Sequence, residues 1–260
     1  MAEAMIAGML RQGIVTPEQV TASHPRDERI DDLSGRLGIN VFRNNHEAAA
    51  SLGENGTLVL CVKPQRLSRV MKELSDSVTE DRMTVSIVAG ARIDTISDAL
   101  RTDRVVRVMP NTPSQIGAGM SVWTCSPAVG DERRVEVRNI LSALGKELFV
   151  ETENMIDMAT SLSATGPTFT FMVMEALTDA GVHLGFSRDV AKELVQETML
   201  GSVKFAMESH KHPAELHNMV TSPGGTSAEA IYQMEKGGLR TVLSKAVHAA
   251  YKRAVDLGKR

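Results

Sequence analysis

Aromatic residues are scarce in this chain of 260 residues: one Trp, two Tyr and six Phe, 3% of the whole. The core must therefore be built from Leu, Val, Ile, Ala and the 15 Met residues, a composition that favours much helix. Cysteine is almost absent. Cys61 and Cys125 each lie in an apolar, strand-like run, which excludes a disulfide framework and a cysteine metal site and leaves two core thiols of a reducing compartment, by default the cytoplasm. No run of Lys and Arg exceeds two residues and the net charge is -3, so the electrostatic footprint of a nucleic-acid partner is missing. No apolar run approaches the roughly 18 to 20 residues that span a bilayer. A basic region followed by an apolar stretch is also lacking at the start, and we expect neither a membrane partner nor secretion.

What is present is an ordinary globular balance, 42% hydrophobic and 23% charged. At this length two domains are expected. Apolar runs of strand length alternate with helical patterns through the first 150 residues: strands around Val20 to Ser23, Ile39 to Phe42, Thr57 to Val62, Thr84 to Val88, Val105 to Met109, Met120 to Cys125 and Glu147 to Val150. Between them lie helical stretches such as Asp27 to Leu37, Leu67 to Leu74 and Ile93 to Leu100. Such alternation predicts right-handed βαβ crossovers and an α/β fold with a doubly wound, mostly parallel sheet. After Glu151 every pattern is helical, so the boundary is placed between residues 1–151 and a helical domain of 152–260. Its helices carry apolar residues over wide arcs, and we expect them to meet a second copy of the chain.

Ligands of doubly wound sheets bind beyond the carboxyl ends of the strands. Those ends carry Ser23-His24-Pro25-Arg26, Asn44-Asn45, Lys63-Pro64-Gln65, Ala89-Gly90 and Pro110-Asn111-Thr112-Pro113. A cation and a hydroxyl, Arg26 and Ser23, stand where a sheet that selects NAD places an acid, which favours NADP(H), with NAD(H) admitted as a second nucleotide. His24 and Arg26 could equally be solvated surface at a helix start, and Lys63 an exposed turn lysine. Asn111, between two prolines, has a rigid backbone and an amide able to fix a ligand or cap a turn. His210, His212 and His217 match no strong zinc spacing and no metal is expected.

In the helical half, Val220-Thr221-Ser222-Pro223-Gly224-Gly225-Thr226-Ser227 runs directly into an apolar-periodic segment. The glycines Gly224 and Gly225 permit a tight turn, Pro223 fixes the approach, and Thr226 and Ser227 place hydroxyls and free amides at a helix start. That arrangement is either a pocket for a small carboxylate or a capped inter-helix turn.

These stretches, with Met1-Ala-Glu-Ala-Met5, Cys61-Val62-Lys63-Pro64-Gln65, Ser86-Ile-Val-Ala-Gly90 and Arg107-Val-Met-Pro-Asn-Thr-Pro113, resemble pyrroline-5-carboxylate reductase across essentially the whole chain. The resemblance implies a Rossmann-like sheet followed by an all-helical dimerisation domain, and reduction of 1-pyrroline-5-carboxylate to L-proline by hydride from NADPH. It implies a cofactor lining of Ser23, Arg26, Asn45, Val62, Lys63, Pro64, Ala89, Gly90 and Asn111. Glu153, Ser222, Gly224, Gly225 and Thr226 would face the substrate, with Ser227 catalytic, and homodimers or dimer-based rings as the assembly. The alternatives are a reductase of another small carboxylated imine, or a dimeric binding protein with weak or no cofactor binding.

Three departures qualify the resemblance. Ser227 stands where the family usually has Thr, keeping the hydroxyl but losing the methyl that restricts it. Ser163-Ala164-Thr165-Gly166-Pro167-Thr168-Phe169 stands where a Ser-Gly-Ser-Gly-Pro-Ala-Tyr stretch is usual, so a tyrosine hydroxyl is lost. Family members place an apolar strand and a Gly-x-Gly-Asn turn before the Met-Ala-Glu-Ala match, with which this sequence begins. A start assigned too late is the expected explanation; for residues 1–260 alone we expect weak or no NADPH binding, and a sheet whose neighbouring strands close a gap or keep unpaired edges.

Overall fold

A computed structural model describes residues 1–259. The chain divides into two compact units, residues 1–167 with 250–260 and residues 168–249.

The first unit is built on seven strands in two sheets. β1 (Thr21–Ser23) pairs in parallel with β2 (Asn40–Phe42), while β3 (Leu58–Leu60), β4 (Thr84–Ser86), β5 (Val105–Met109), β6 (Gly119–Cys125) and β7 (Gly145–Phe149) form a second sheet in that order. β1 and β3 do not hydrogen-bond to one another, so of the two outcomes expected from the sequence it is the unpaired edges that occur. β3, β4 and β5 are parallel, as are β6 and β7, but β5 and β6 run antiparallel, with Val106 opposite Cys125 and Met109 opposite Val122. The reason is length. Residues 110–118 hold only a 3-10 turn at Thr112–Ile116, whereas a parallel crossover needs a dozen or more residues.

Helices α1 (Ala2–Arg11), α2 (Asp27–Leu37), α3 (Asn45–Ala50), α4 (Pro64–Leu74), α5 (Ile93–Leu100) and α6 (Asp131–Ser142) fill the connections. α1 buries Met5, Gly8 and Met9 at helical spacing. It approaches the end of α6 so closely that a Cβ on Gly8 would lie 2.6 Å from the Ala143 carbonyl oxygen. α2 stops at Gly38, which adopts the left-handed conformation that caps a helix. α4 starts on Pro64, whose missing N–H costs nothing at the first helical position. Glu3 of α1 pairs with Arg29 and Arg36 of α2, and their hydrogen bonds, Arg36's foremost, hold its carboxyl below the ordinary range.

α7 (Asn154–Ala159) and the π-helical turn Thr160–Ala164 pack on β5 and β6, Ile156 being fully buried with Met109, Val122 and Val150. α7 therefore belongs to the first compact unit, which runs to residue 167. The last turns of α12 (Leu239–Leu257) also belong to it, Tyr251 donating to Asn154. The second unit consists of most of α8 (Gly166–His183), then α9 (Arg188–Ser209), α10 (Pro213–Met219), α11 (Thr226–Lys236) and the first part of α12. α8 and α9 cross closely where a Cβ on Gly181 would meet that of Ala191 at 2.9 Å.

Candidate active site

Two of the strand-end residues of the first unit, Ser23 and Asn45, are linked to each other. Ser23 closes β1 and donates its hydroxyl to Oδ1 of Asn45 at 2.7 Å; the Asn45 amide in turn donates to Glu73. That bond and the Arg69 hydrogen bond, the larger influence, lower the Glu73 carboxyl. His24 extends the β1–β2 ladder through its N–H to the Phe42 carbonyl, and its Nδ1 accepts from the Arg26 N–H at 3.2 Å. The His24-Pro25-Arg26 turn is thereby shaped by its own side chain. Arg26 stands at the N-cap of α2, exposed, its guanidinium without a partner among the described residues.

Lys63 is the exposed N-cap residue of α4, followed by Pro64 at N1; Val62 packs with the Leu60 and Leu67 cluster. Burial pushes the adjacent Cys61 thiol up to about 11, so it is protonated and inert at neutral pH. Cys125 is raised for the same reason, opposed by Arg134. Both are unpaired. Ala89 and Gly90 form the turn after β4. Gly90 has φ +77°, and a Cβ there would meet the Leu257 backbone at 2.9 Å, so no side chain fits.

Two of the expected ligand-facing groups are engaged within the protein. Asn111 accepts from the Met120 N–H at 2.9 Å and donates to the Ser163 carbonyl at 3.4 Å, fastening the Pro110–Pro113 turn to β6 and to the π-helical segment. Glu153 gives Oε1 to the Ile93 N–H at 2.8 Å and to Arg107 at 2.9 Å, and Oε2 to Arg92 at 3.3 Å. Arg107 is the centre of this cluster. It lies 1% exposed in the middle of β5 and reaches Asp157 of α7 at 2.6 Å as well. Arg107, Asp157 and Arg92 had no assigned role from sequence. The available signal was a lone arginine within the otherwise apolar run Val105-Val106-Arg107-Val108-Met109, which demands a buried counter-charge.

In the second unit, Ser222-Pro223-Gly224-Gly225 turns into α11. Gly224 has φ +70°, and Gly225 is the N-cap, its N–H bonded to the Ser222 carbonyl at 3.0 Å and no side chain capping the helix. A Cβ on Gly225 would lie 2.5 Å from the Ser222 hydroxyl. Thr226 and Ser227 occupy the first two helical positions, where backbone N–H groups have no helical acceptor. Among the described residues no hydrogen bond engages the hydroxyls of Ser222, Thr226 or Ser227. Of the three histidines, His212 caps α10 by accepting from the Ala214 N–H, His210 ends α9 at φ 53° and His217 lies in the last turn of α10. No group able to hold a metal ion occurs among the described residues.

Comparison with known proteins bears on both halves. Residues 153–257 match the family model described as pyrroline-5-carboxylate reductase dimerisation, and residues 1–90 match one described as NADP oxidoreductase, coenzyme F420-dependent. The pyrroline-5-carboxylate reductase of Methanosarcina acetivorans is 38% identical over 261 residues, covering 100% of this chain and 95% of its own. The solved structure of the Coxiella burnetii pyrroline-5-carboxylate reductase superposes with a TM-score of 0.89 at 31% identity, covering 100% and 95% of the two chains. That of the Plasmodium falciparum pyrroline carboxylate reductase, with NADP bound, gives 0.88 at 27% identity over 98% and 93%. Full-length identity at this level, on a sheet unit and a helical unit joined in the same order, places the chain: it belongs to the pyrroline-5-carboxylate reductase family.

Proposed function

We propose that the chain reduces 1-pyrroline-5-carboxylate to L-proline, with NADPH as the reductant and NADH as a poorer substitute. The observation that carries this is the start of α11: a glycine turn and a helix N-terminus with no side-chain cap, flanked by three hydroxyls with no partner among the described residues. Unpaired N–H groups and the positive end of the helix dipole suit a carboxylate. The Ser222 and Thr226 hydroxyls add donors of the right reach, and Gly224 and Gly225 keep the approach clear.

The donor set at the strand ends fits a phosphorylated dinucleotide. The Ser23 hydroxyl and Asn45 amide suit the ribose, Arg26 supplies a cation, and Lys63 supplies an ammonium beside β3. When bound, the nicotinamide supplies hydride to the C=N carbon. The ring nitrogen then gains a proton, for which Ser227 Oγ is the donor in this chain, refilled from water. Asn111 and Glu153 act indirectly, by holding the turns that carry Pro110 and Ala89-Gly90. The chain assembles as a homodimer, alone or within a ring of dimers, in the cytoplasm; exposed apolar faces of α8 and α9 and two unpaired thiols support this.

Replacing Ser227 with Ala tests the site. Turnover of 1-pyrroline-5-carboxylate, followed as loss of NADPH absorbance, should fall by about 100-fold, with the fluorescence-measured affinity for NADPH unchanged. Unchanged turnover would remove Ser227 from the chemistry.

A further inference from the structure

Beside the turn that carries Arg26 lies a surface cleft of about 310 Å³ lined by Pro25, Arg26, Asp27, Glu28 and Arg43. Parallel pairing of β1 and β2 sets Ser23 opposite Phe42, so the residues that follow each strand emerge side by side. Arg43 follows Phe42 directly. Its guanidinium sits 3.0 Å from one Asp27 carboxylate oxygen and 3.1 Å from the other, with both side chains about two-thirds exposed, 69% and 68%. Arg26 and Glu28 make no side-chain contact of this kind among the described residues. Two cations and two carboxylates thus line one cleft at the N-terminus of α2, whose first amides lack a side-chain cap.

We propose that Arg43 is a specificity-determining residue: with Arg26 it takes the 2′-phosphate of the dinucleotide, and Asp27 is a built-in competitor that sets how strongly the phosphorylated nucleotide is preferred. This rests on the nucleotide-dependent reading above and assigns residues to it that the strand-end motif alone does not reach. A dianion entering the cleft meets two guanidinium groups and the first amides of α2. Arg43 exchanges Asp27 for the phosphate at small cost, because an exposed ion pair contributes little. A nucleotide with a free 2′-hydroxyl leaves the Arg43–Asp27 pair intact and can donate that hydroxyl to Asp27. One cleft therefore serves both nucleotides, with the ion pair closed for one and opened for the other.

The test is a calorimetric titration of the full chain with 2′,5′-ADP and with 5′-ADP, which reads the cleft without turnover. Wild type should bind 2′,5′-ADP more tightly than 5′-ADP. Arg43→Ala should weaken 2′,5′-ADP by about 10- to 100-fold, the loss of a charge-assisted contact, with 5′-ADP changed by less than about twofold. Arg43→Lys should recover part of the loss, and Asp27→Asn should tighten 2′,5′-ADP while weakening NADH in a fluorescence titration. Equal binding of the two nucleotides by wild type, or a 2′,5′-ADP affinity indifferent to Arg43→Ala in a variant of unchanged melting temperature, would overturn the proposal. Parallel assays with 1-pyrroline-5-carboxylate separate the two ideas. Arg43-dependent binding without turnover keeps the cleft and sinks the reaction; turnover with NADPH that ignores Arg43 does the reverse.

Discussion

In the sheet unit Ile96, Leu100, Val105, Val106, Val108, Trp123, Val137, Leu141 and Leu144 have no exposed surface. In residues 168–249 the only described side chains that reach comparable burial are Thr178 and Ala191. Meanwhile Phe171, Met172, Leu177, Leu194, Val203 and Phe205 of that unit stand about half exposed. One unit covers its own apolar surface and the other offers it. The contrast separates two kinds of surface: the sheet unit buries its own apolar residues, and the helical unit keeps apolar faces available for contact. The match of residues 153–257 to a dimerisation model agrees with that division.

The largest expected effect comes from breaking the scaffold at its charged centre. Arg107→Ala leaves Asp157 buried without its cation and Glu153 with Arg92 alone, and should cost about 3 to 5 kcal/mol of stability, read as a lowered denaturation midpoint. A midpoint within experimental error of wild type would show that the cluster is not what ties α7 to β5. Charges placed at Phe171 and Leu177 should leave the scaffold folded but weaken self-association by about tenfold or more, the loss typical of central interface positions. Sedimentation equilibrium checks it; an unchanged dimer would mean that another face of the helical unit is used.

The smallest effect is at Glu3. Its carboxyl is held low by Arg36 and Arg29, so its contribution is present above the ordinary value of 4.5 and is lost as pH falls through the depressed one. Glu3→Gln should therefore reduce stability near neutrality slightly and flatten the fall in stability on acidification below about pH 4.5. Acid titrations of wild type and variant that stay parallel would contradict this.

Much of the scaffold could be read from residue pattern. Asp27–Leu37, Ile93–Leu100, Val105–Met109 and Pro213–Met219 end where capping residues and apolar period place them. The antiparallel β5–β6 pair was not legible as such, because strand patterns do not carry direction; only the shortness of residues 110–118 does. The π-helical turn at Thr160–Ala164 begins within, and runs past the end of, what looks like one continuous helix from Glu153 to Leu162. At the strand ends the residue types were legible and their partners were not. Asn111 could be read as an available amide, but its bonds to Met120 and Ser163 depend on β6 and on a segment more than fifty residues away. Arg43 escaped notice because its significance lies in the register of β1 against β2, which brings it beside Asp27.

The start of α11 needed least revision. The sequence left it either a pocket or a capped turn, and it forms a helix N-terminus with no side-chain cap, its hydroxyls unengaged among the described residues. The measurement that tests the account most directly is product analysis: the full chain incubated with NADPH and 1-pyrroline-5-carboxylate, with L-proline quantified beside oxidised nucleotide. The proposed reaction predicts L-proline formed in step with NADPH consumed, and suppressed together by Ser227→Ala; nucleotide binding and dimer formation with no L-proline produced would contradict it.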